Sequence, residues 1–536
     1  MARRCSRGRR SLPGEVSLKF ALAALLLAVV AAGIHWGTFA AGGSDSYCYV
    51  HQAEAWASGR LRVVEPLALE APWPDAPLTF APAGHIPSPT VRGAIAPICP
   101  AGLSLAMVPF VWADRASGAG EAGREIEAGE AGTRDRLVFL VVPLFGALLV
   151  WSTYLLGLRF SPRVALASAL LVACSPAVLF QLMQPMSDVP AAALWVLAAA
   201  TIANGGRRSP LLAGLAVSAA IVVRPNLLPM GIVIGVFLLF RAERQWRERT
   251  TDAMMFAAGA LPGCVFVAVV QAMFYGSPLR SGYGALSDLF AVDHIVPNAF
   301  RYGTWMWQSH GPVWLPALAA PLVLPGSLTT LLVSLALVNV ACYLPYAVFN
   351  DWWYLRFLLP AIAILLVLAV ASIDAIFSRT HRVRAASLAL ITLASALFFI
   401  REARDRNVFA LQRLEARYER AGLYIYSKLP SQAVIVTSWE SGSARYYGHR
   451  NTLVWDALDP AWLDRALAFL RMRGHEPYLL FERWEEPLFR QRFGGSAIGR
   501  LDWPPAVEIA GQVRLYRPDD RERYLKGEGS ATEYAR

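Results

Sequence analysis

The chain has 536 residues, of which 56% are hydrophobic and only 17% charged. Soluble domains carry roughly 25% charged residues, so this composition excludes an ordinary soluble enzyme and points to a membrane protein. The net charge of +11 lies in short basic bursts between apolar runs, as in the loops of membrane proteins, and this excludes a nucleic-acid-binding face.

The basic N-terminus (1–17), with Arg3, Arg4, Arg7, Arg9 and Arg10, precedes an apolar run from Leu18 to Ala41. That run is too long for a cleaved signal and reads as a retained anchor. Further apolar runs lie near Leu137–Gly157, Ala165–Gln181, Val189–Ala203, Leu211–Val223, Leu227–Phe240, Met254–Phe274, Val313–Leu324, Leu328–Phe349, Leu355–Ile373 and Ala385–Ile400. We therefore expect an all-α polytopic membrane bundle of about 11 spans across residues 18–400. Ile98–Trp112, about fifteen residues interrupted by Pro100 and Pro109, is expected to lie on the surface or re-enter, not to cross.

With the N-terminus cytoplasmic, Arg159/Arg163, Arg207/Arg208, the Arg241–Arg249 cluster and Arg379–Arg384 all face the cytoplasm, as the positive-inside rule requires. Outside fall the first loop 42–136, the turn Gln181–Asp188, Arg224-Pro225-Asn226, the loop Tyr275–Pro312, Asn350–Tyr354 and everything after Arg401. Within the first loop, Ala116–Gly132 is rich in Gly, Ala and Glu and reads as a flexible insertion. Residues 401–520 alternate strand-like and helical runs (Ala433–Ser438, Trp462–Met472, Tyr478–Phe481, Gln512–Tyr516) and predict a small external α/β C-terminal domain. Residues 521–536 are expected to be disordered. No internal repeat is evident. The six cysteines show no C-x-x-C spacing; Cys174, Cys264 and Cys342 fall in apolar runs as small core residues, and Cys48 and Cys99 are read as unpaired.

The unusual polar residues of the bundle collect on the outer side. Asp45, Tyr49, Ala53 and Trp56 recur at i, i+4, i+8 and i+11, one face of a helix lying on the membrane surface. Asp188, Arg224, the Tyr275–Gly284 stretch with Arg280 and Tyr283, and Asp351-Trp-Trp-Tyr-Leu-Arg356 follow at outer span ends. Ionisable groups at membrane depth are expensive and are functional candidates by default. Plainer roles exist: Asp45 suits a helix start, and Trp352 and Trp353 suit interfacial anchoring. Acids and arginines converging on one outer cavity fit a site that holds a phosphate and removes a proton.

The pattern Gly-Ser-Asp45-x-x-x-Tyr49-x-x-x-Ala53-x-x-x-Ala57-x-Gly59 resembles the first-loop motif of GT-C glycosyltransferases, nearest to bacterial relatives of protein mannosyltransferases and RgtA/B/C/D-like enzymes. Pro100–Pro109 is similar to their juxtamembrane Pro-x-Gly-x-Pro segment, Met186-Ser-Asp188 to the second-loop acidic motif, and Val223-Arg-Pro-Asn to a Thr-Arg-Pro segment. The resemblance covers roughly residues 18–400. It implies an inverting hexosyl- or pentosyltransferase of the bacterial cytoplasmic (inner) membrane with its active site on the external face. A polyprenyl-phosphate sugar would be the donor, within membrane lipid, and a glycan, lipid or protein the acceptor. Asp45 would be the general base, with Asp188 a second catalytic carboxylate. Arg224, Arg280 and Arg356 would bind the donor phosphate, and Tyr49, Glu54, Tyr283 and Trp353 would line the substrate. Where the family often has a second acid beside the first, this chain has Ser46. No divalent metal or other cofactor is obligatory on this reading.

Two other classes compete. A transporter or flippase for a lipid-linked sugar would use the same acids and arginines, but it should show polar residues along a path through the spans. A non-catalytic scaffold would leave Asp45 and Arg224 unexplained. In the tail, Glu440, Arg445, Tyr446, Tyr447 and His449 form a polar, aromatic cluster suited either to a sugar or to a solvated loop.

Overall fold

The structure, a computed structural model, describes residues 13–117, 137–241, 244–377, 381–529 and 531–535. The five N-terminal arginines, most of the expected insertion and residues 378–380 lie outside the described residues.

Five helices are long and apolar enough to cross a membrane: Leu18–Trp36, Leu137–Gly157, Trp246–Tyr275, Trp352–Ile376 and Ala385–Asp405. A sixth candidate is the pair Pro162–Cys174 and Pro176–Leu182, bent by 59°. The bend has a local cause. Pro176 has no N–H for the helical ladder, and Ser175 Oγ accepts from Val178 N to start a new helix. Four shorter apolar helices, Asp188–Asn204, Ser209–Val223, Pro225–Phe240 and Ser327–Tyr343, accompany them. The expected Val313–Leu324 span is not one helix. Pro312, Pro316 and Pro321 reduce it to a 3-10 stretch, Gly311–Ala319, and a single turn, Ala320–Val323, so eleven straight spans are not found.

The span ending at Ile376 is apolar all round and almost wholly buried, which makes it the centre of the bundle. Trp246–Tyr275 is mostly exposed and packs at the periphery. It approaches Ser209–Val223 backbone to backbone: a Cβ on Gly259 would lie 2.5 Å from Leu211 O, and one on Gly263 2.3 Å from Ser218 O. Gly259 and Gly263 thus form a small-xxx-small contact of the kind that lets membrane helices meet closely.

Three outer pieces position the site. In the first loop, β1 (Val63–Val64), β2 (His85–Pro87) and β3 (Ala94–Pro97) form an antiparallel sheet in the order β1-β3-β2, followed by the helix Ala101–Ala116. That helix covers the segment expected not to span. It buries Leu103, Met107 and Val111 and exposes Trp112, and it is not among the span candidates. The loop Tyr275–Pro312 contains the helix Ile295–His310. Asn298 on that helix donates to Leu344 O (3.0 Å) and Tyr346 O (2.6 Å), satisfying carbonyls just past the end of Ser327–Tyr343.

The tail is an α/β unit. Its sheet runs β5-β4-β6-β8-β7-β9, from β4 (Ala433–Thr437), β5 (Asn451–Val454), β6 (Glu476–Glu482), β7 (Val507–Ile509), β8 (Val513–Tyr516) and β9 (Glu533–Ala535). β4 pairs parallel with both β5 and β6. One expectation is corrected here: of the residues expected to be disordered, Asp520–Leu525 is helical and β9 pairs with β7. The tail has a core of its own, with Ile425, Ile435, Leu480 and Leu515, and a second core shared with the first loop, where Leu67, Trp73 and Phe80 pack with Val434, Leu453 and Phe481.

Candidate active site

Asp45 is the first residue of the helix Asp45–Ala57, and Ser44 before it makes no side-chain cap. An acid at this end is favoured by the helix dipole, so the plain structural role of Asp45 is real. Its carboxylate does more, however: Oδ2 lies 3.2 Å from a terminal nitrogen of Arg356. One turn on, Tyr49 points the same way and donates to Ser187 Oγ at 2.8 Å. Burial pushes the Tyr49 phenol well above its ordinary range, so it acts as a neutral donor.

Asp188 opens the helix Asp188–Asn204 and is 1% exposed. Its partner is Arg224, whose terminal nitrogen lies 2.7 Å away. Arg224 is placed by the next residue. A residue before proline avoids the α region, and Arg224 is extended (φ −144°, ψ 88°), ending the helix at Val223 and turning the side chain inward. Its other donors are also occupied: Nε reaches Ser187 Oγ at 3.3 Å and Nη1 reaches Tyr343 Oη at 2.9 Å. Arg356 differs. Its Nε is buried and has no hydrogen-bond partner among the described residues.

Both guanidiniums lie beside one ring, Phe357, at 5.4 Å for Arg224 and 5.3 Å for Arg356. Arg356 also lies within electrostatic reach of Asp188 as well as Asp45. The result is a four-charge cluster of two acids and two arginines at one end of the bundle, in which each Arg224 nitrogen has a contact while Arg356 keeps an unpartnered Nε. Among the described residues, no three His, Cys, Asp or Glu side chains gather as metal ligands.

The other predicted residues divide. Tyr283 faces the cluster, within electrostatic reach of Asp45, Tyr49 and Arg224. Its loop is fixed by Tyr275, whose hydroxyl donates to Pro97 O at 2.7 Å. Arg280 is exposed, and among the described residues no side-chain contact joins it to the cluster. Glu54 is nine positions from Asp45, half a turn out of phase on a 3.6-residue helix, and accepts from Tyr446 Oη at 2.5 Å instead. Trp353 stacks on Phe180 with centroids 5.7 Å apart, away from the acids. Sequence reasoning missed Ser187, Tyr343 and Phe357. A tyrosine inside an apolar span needs a partner for its hydroxyl, and that signal was available for Tyr343.

Cys48 and Cys99, expected to be unpaired, form a disulfide with Cα atoms 6.2 Å apart. It ties the Asp45 helix to the segment that follows β3. The helix is not an open surface helix either: Tyr47 is buried against the tail, and Cys48, Val50 and Gln52 are buried against the rest of the first loop and the bundle. Residues Ser441–Tyr446 form a helix seated on it, with Gly442 against the Tyr47 ring. Of the predicted sugar cluster, Arg445, Tyr446 and Tyr447 are spent on this docking. Arg445 pairs with Glu65 and donates to Phe80 O (2.8 Å), and Tyr447 Oη accepts from Ala41 N (2.8 Å).

A family model described as dolichyl-phosphate-mannose-protein mannosyltransferase matches residues 131–270. Among solved structures, the Archaeoglobus fulgidus oligosaccharyltransferase tethered to an acceptor peptide is similar over 90% of this chain and 71% of its own, at 13% identity and a TM-score of 0.57. ArnT from Cupriavidus metallidurans is similar in its apo state over 94% of this chain and 98% of its own, at 12% identity and a TM-score of 0.56. ArnT bound to undecaprenyl phosphate gives 90% and 95%, at 12% identity and a TM-score of 0.54. No curated protein matches the sequence. The matched model and these neighbours are GT-C glycosyltransferases, and the chain shares their fold.

Proposed function

We propose that this GT-C-fold chain is a membrane glycosyltransferase that moves a sugar from a polyprenyl-phosphate donor to an acceptor on the external face. The observation that carries the reading is the four-charge cluster: Asp45 held by an arginine whose Nε has no partner among the described residues, beside Asp188 held by an arginine with a contact at every nitrogen.

Arg356 is suited to the donor phosphate. Guanidinium groups bind phosphate oxygens with two parallel bonds, and its unpartnered Nε leaves such an edge free. A phosphate drawn to Arg356 competes with Asp45 for the same cation and loosens the ion pair. Asp45 then accepts the proton of the acceptor hydroxyl as that oxygen bonds to the anomeric carbon. The bond from the anomeric carbon to the phosphate oxygen breaks on the opposite face, its electron pair stays on the lipid phosphate, and configuration inverts. Arg356 stabilises the charge that develops there. Arg224 is fully engaged and acts by fixing Asp188, Ser187 and, through Ser187, Tyr49.

The positive-inside rule supports a cytoplasmic N-terminus and cytoplasmic basic loops, with the cluster, the first loop and the tail outside. That orientation suits a bacterial cytoplasmic-membrane enzyme acting on the cell envelope. Purified protein in detergent, offered a panel of polyprenyl-phosphate sugars, should release lipid phosphate from one of them. Loss of release in Asp45→Asn is expected. If no donor is consumed while undecaprenyl phosphate still binds, the lipid-phosphate site stands and the transferase activity does not.

A further inference from the structure

At the carboxyl ends of β4 and β6 the chain leaves the central strand β4 for β5 on one side and reaches β6 on the other. Such a reversal opens a crevice where α/β sheets bind ligands. Two large apolar side chains stand there in solvent: Trp439 just past β4, 40% exposed, and Trp484 just past β6, 50% exposed. Their rings meet nearly edge to face, with centroids 6.0 Å apart and planes at 73°, making a corner.

Neither ring is loose. The Trp439 backbone N–H donates to Glu485 Oε1 (3.2 Å), and Glu485 Oε2 accepts from the Glu482 backbone (2.9 Å), so one buried carboxylate ties the two loops together. The Trp484 indole donates to Glu482 Oε2 at 2.9 Å. Arg417 holds the other oxygen of Glu482 at 3.1 Å and donates to Tyr418 Oη at 2.9 Å. The Tyr418 ring lies against Gly42, three residues before Asp45, where a Cβ would fall 2.0 Å from it. Behind the corner, Glu440 is fully buried with one oxygen, Oε1, that no group satisfies among the described residues.

We propose that the Trp439–Trp484 corner is a saccharide-binding site that receives the acceptor, which makes the acceptor a carbohydrate; this rests on the glycosyltransferase reading. Exposed, rigidly held indoles suit the apolar C–H faces of sugar rings, and carboxylates accept from their hydroxyls. The charge argues against the main competing occupant. A patch that docks on anionic lipid carries lysines and arginines beside its aromatics, whereas Glu482, Glu485 and Glu440 flank these two. Burial holds the Glu440 carboxyl up at about 8 and the Glu485 carboxyl at about 7, so near neutrality they can donate as well as accept.

The test uses the full-length protein in detergent on an array of soluble oligosaccharides. We expect binding to one structural class, weakened at least about tenfold in Trp439→Ala and in Trp484→Ala. Trp484→Phe, which keeps the ring and loses the bond to Glu482, should retain most of it. No binding to any saccharide, or binding as strong as wild type in both alanine variants, overturns the proposal. So does strong quenching of these two tryptophans by brominated lipid in bilayers, which would mark a membrane anchor. Undecaprenyl phosphate binding by the same preparation reads the donor side separately. Its absence with saccharide binding intact would sink the transferase reading and leave the saccharide site standing.

Discussion

Asp45 and Arg356, 311 positions apart in the chain, meet at 3.2 Å, and the arginine keeps an unpartnered N–H. If a donor phosphate must compete with Asp45 for that cation, one substitution should move two measurements in opposite directions. Asp45→Asn should lower turnover by roughly 10²–10⁴-fold, the usual worth of a general base. It should also tighten undecaprenyl phosphate binding by about threefold to fivefold, the worth of one partly exposed ion pair. A mere helix start predicts neither change, since Asn caps about as well as Asp. Unchanged turnover would falsify the base assignment, and unchanged lipid-phosphate affinity would remove the competition.

The two arginines should fail differently. Arg356→Ala should weaken lipid-phosphate binding by about tenfold or more, with little loss of melting temperature. Arg224→Ala strips the partner from a buried carboxylate, Asp188, and should cost about 3–5 kcal/mol of stability. The double variant Arg224→Ala/Asp188→Ala should recover part of that loss. A binding defect without a stability defect in Arg224→Ala would show that it touches the phosphate itself.

The Cys48–Cys99 bridge closes a loop with a sequence separation of 51. Replacing both residues with serine should remove about 2–4 kcal/mol and shift the band seen on non-reducing gels. Thiol counting on the unfolded, unreduced protein should leave these two unlabelled; labelling of both would return them to the unpaired state.

Acid should loosen the outer body at a defined place. His51 Nδ1 and His85 Nε2 lie 3.0 Å apart under the tail, with Tyr47 stacked on His51 and Arg445 and Arg60 within electrostatic reach. Burial, then the arginines, lowers His51 to about 4. A histidine whose folded value is depressed stabilises fully above its unfolded value of 6.5, and the gain is lost as pH falls from there towards 4. The slope is about 1.4 kcal/mol per unit for one group. Glu440 acts in the opposite sense: its raised value favours the fold at low pH, and the gain is lost as pH rises through about 8. The difference in melting temperature between wild type and His51→Gln, followed from pH 7 to 4.5, isolates the histidine. A constant difference across that window would rule the histidine out as the cause.

Much of the site could be read from the chain because its signals are local. The i, i+4 spacing of Asp45 and Tyr49 gives a shared helix face, and Arg224-Pro225 marks a break that turns a charge inward. Glu54 was misassigned although its phase was countable: nine residues at 100° put it opposite Asp45. The pairings themselves were out of reach, since nothing near Arg356 says that its partner stands 311 positions earlier. In the tail, β4, β6 and β8 were expected, whereas β7 and β9 are three residues long, too short for a period-2 pattern to register, and β5, no shorter than β8, was missed as well. The Val313–Leu324 run was apolar enough to suggest a span, but its prolines outweigh its hydropathy.

The shared core of Trp73, Phe80, Val434 and Phe481 also sets a timetable for biogenesis. Phe80 leaves the ribosome about 350 residues before Val434. At roughly 5–20 residues per second, that gap is on the order of 20–70 s. Throughout it, the aromatics of the first loop stand uncovered while the remaining helices insert. A nascent chain released before residue 434 would expose this half-core, which is a surface for chaperones and proteases to recognise. Quality control of the enzyme would then depend on whether its last 100 or so residues had arrived.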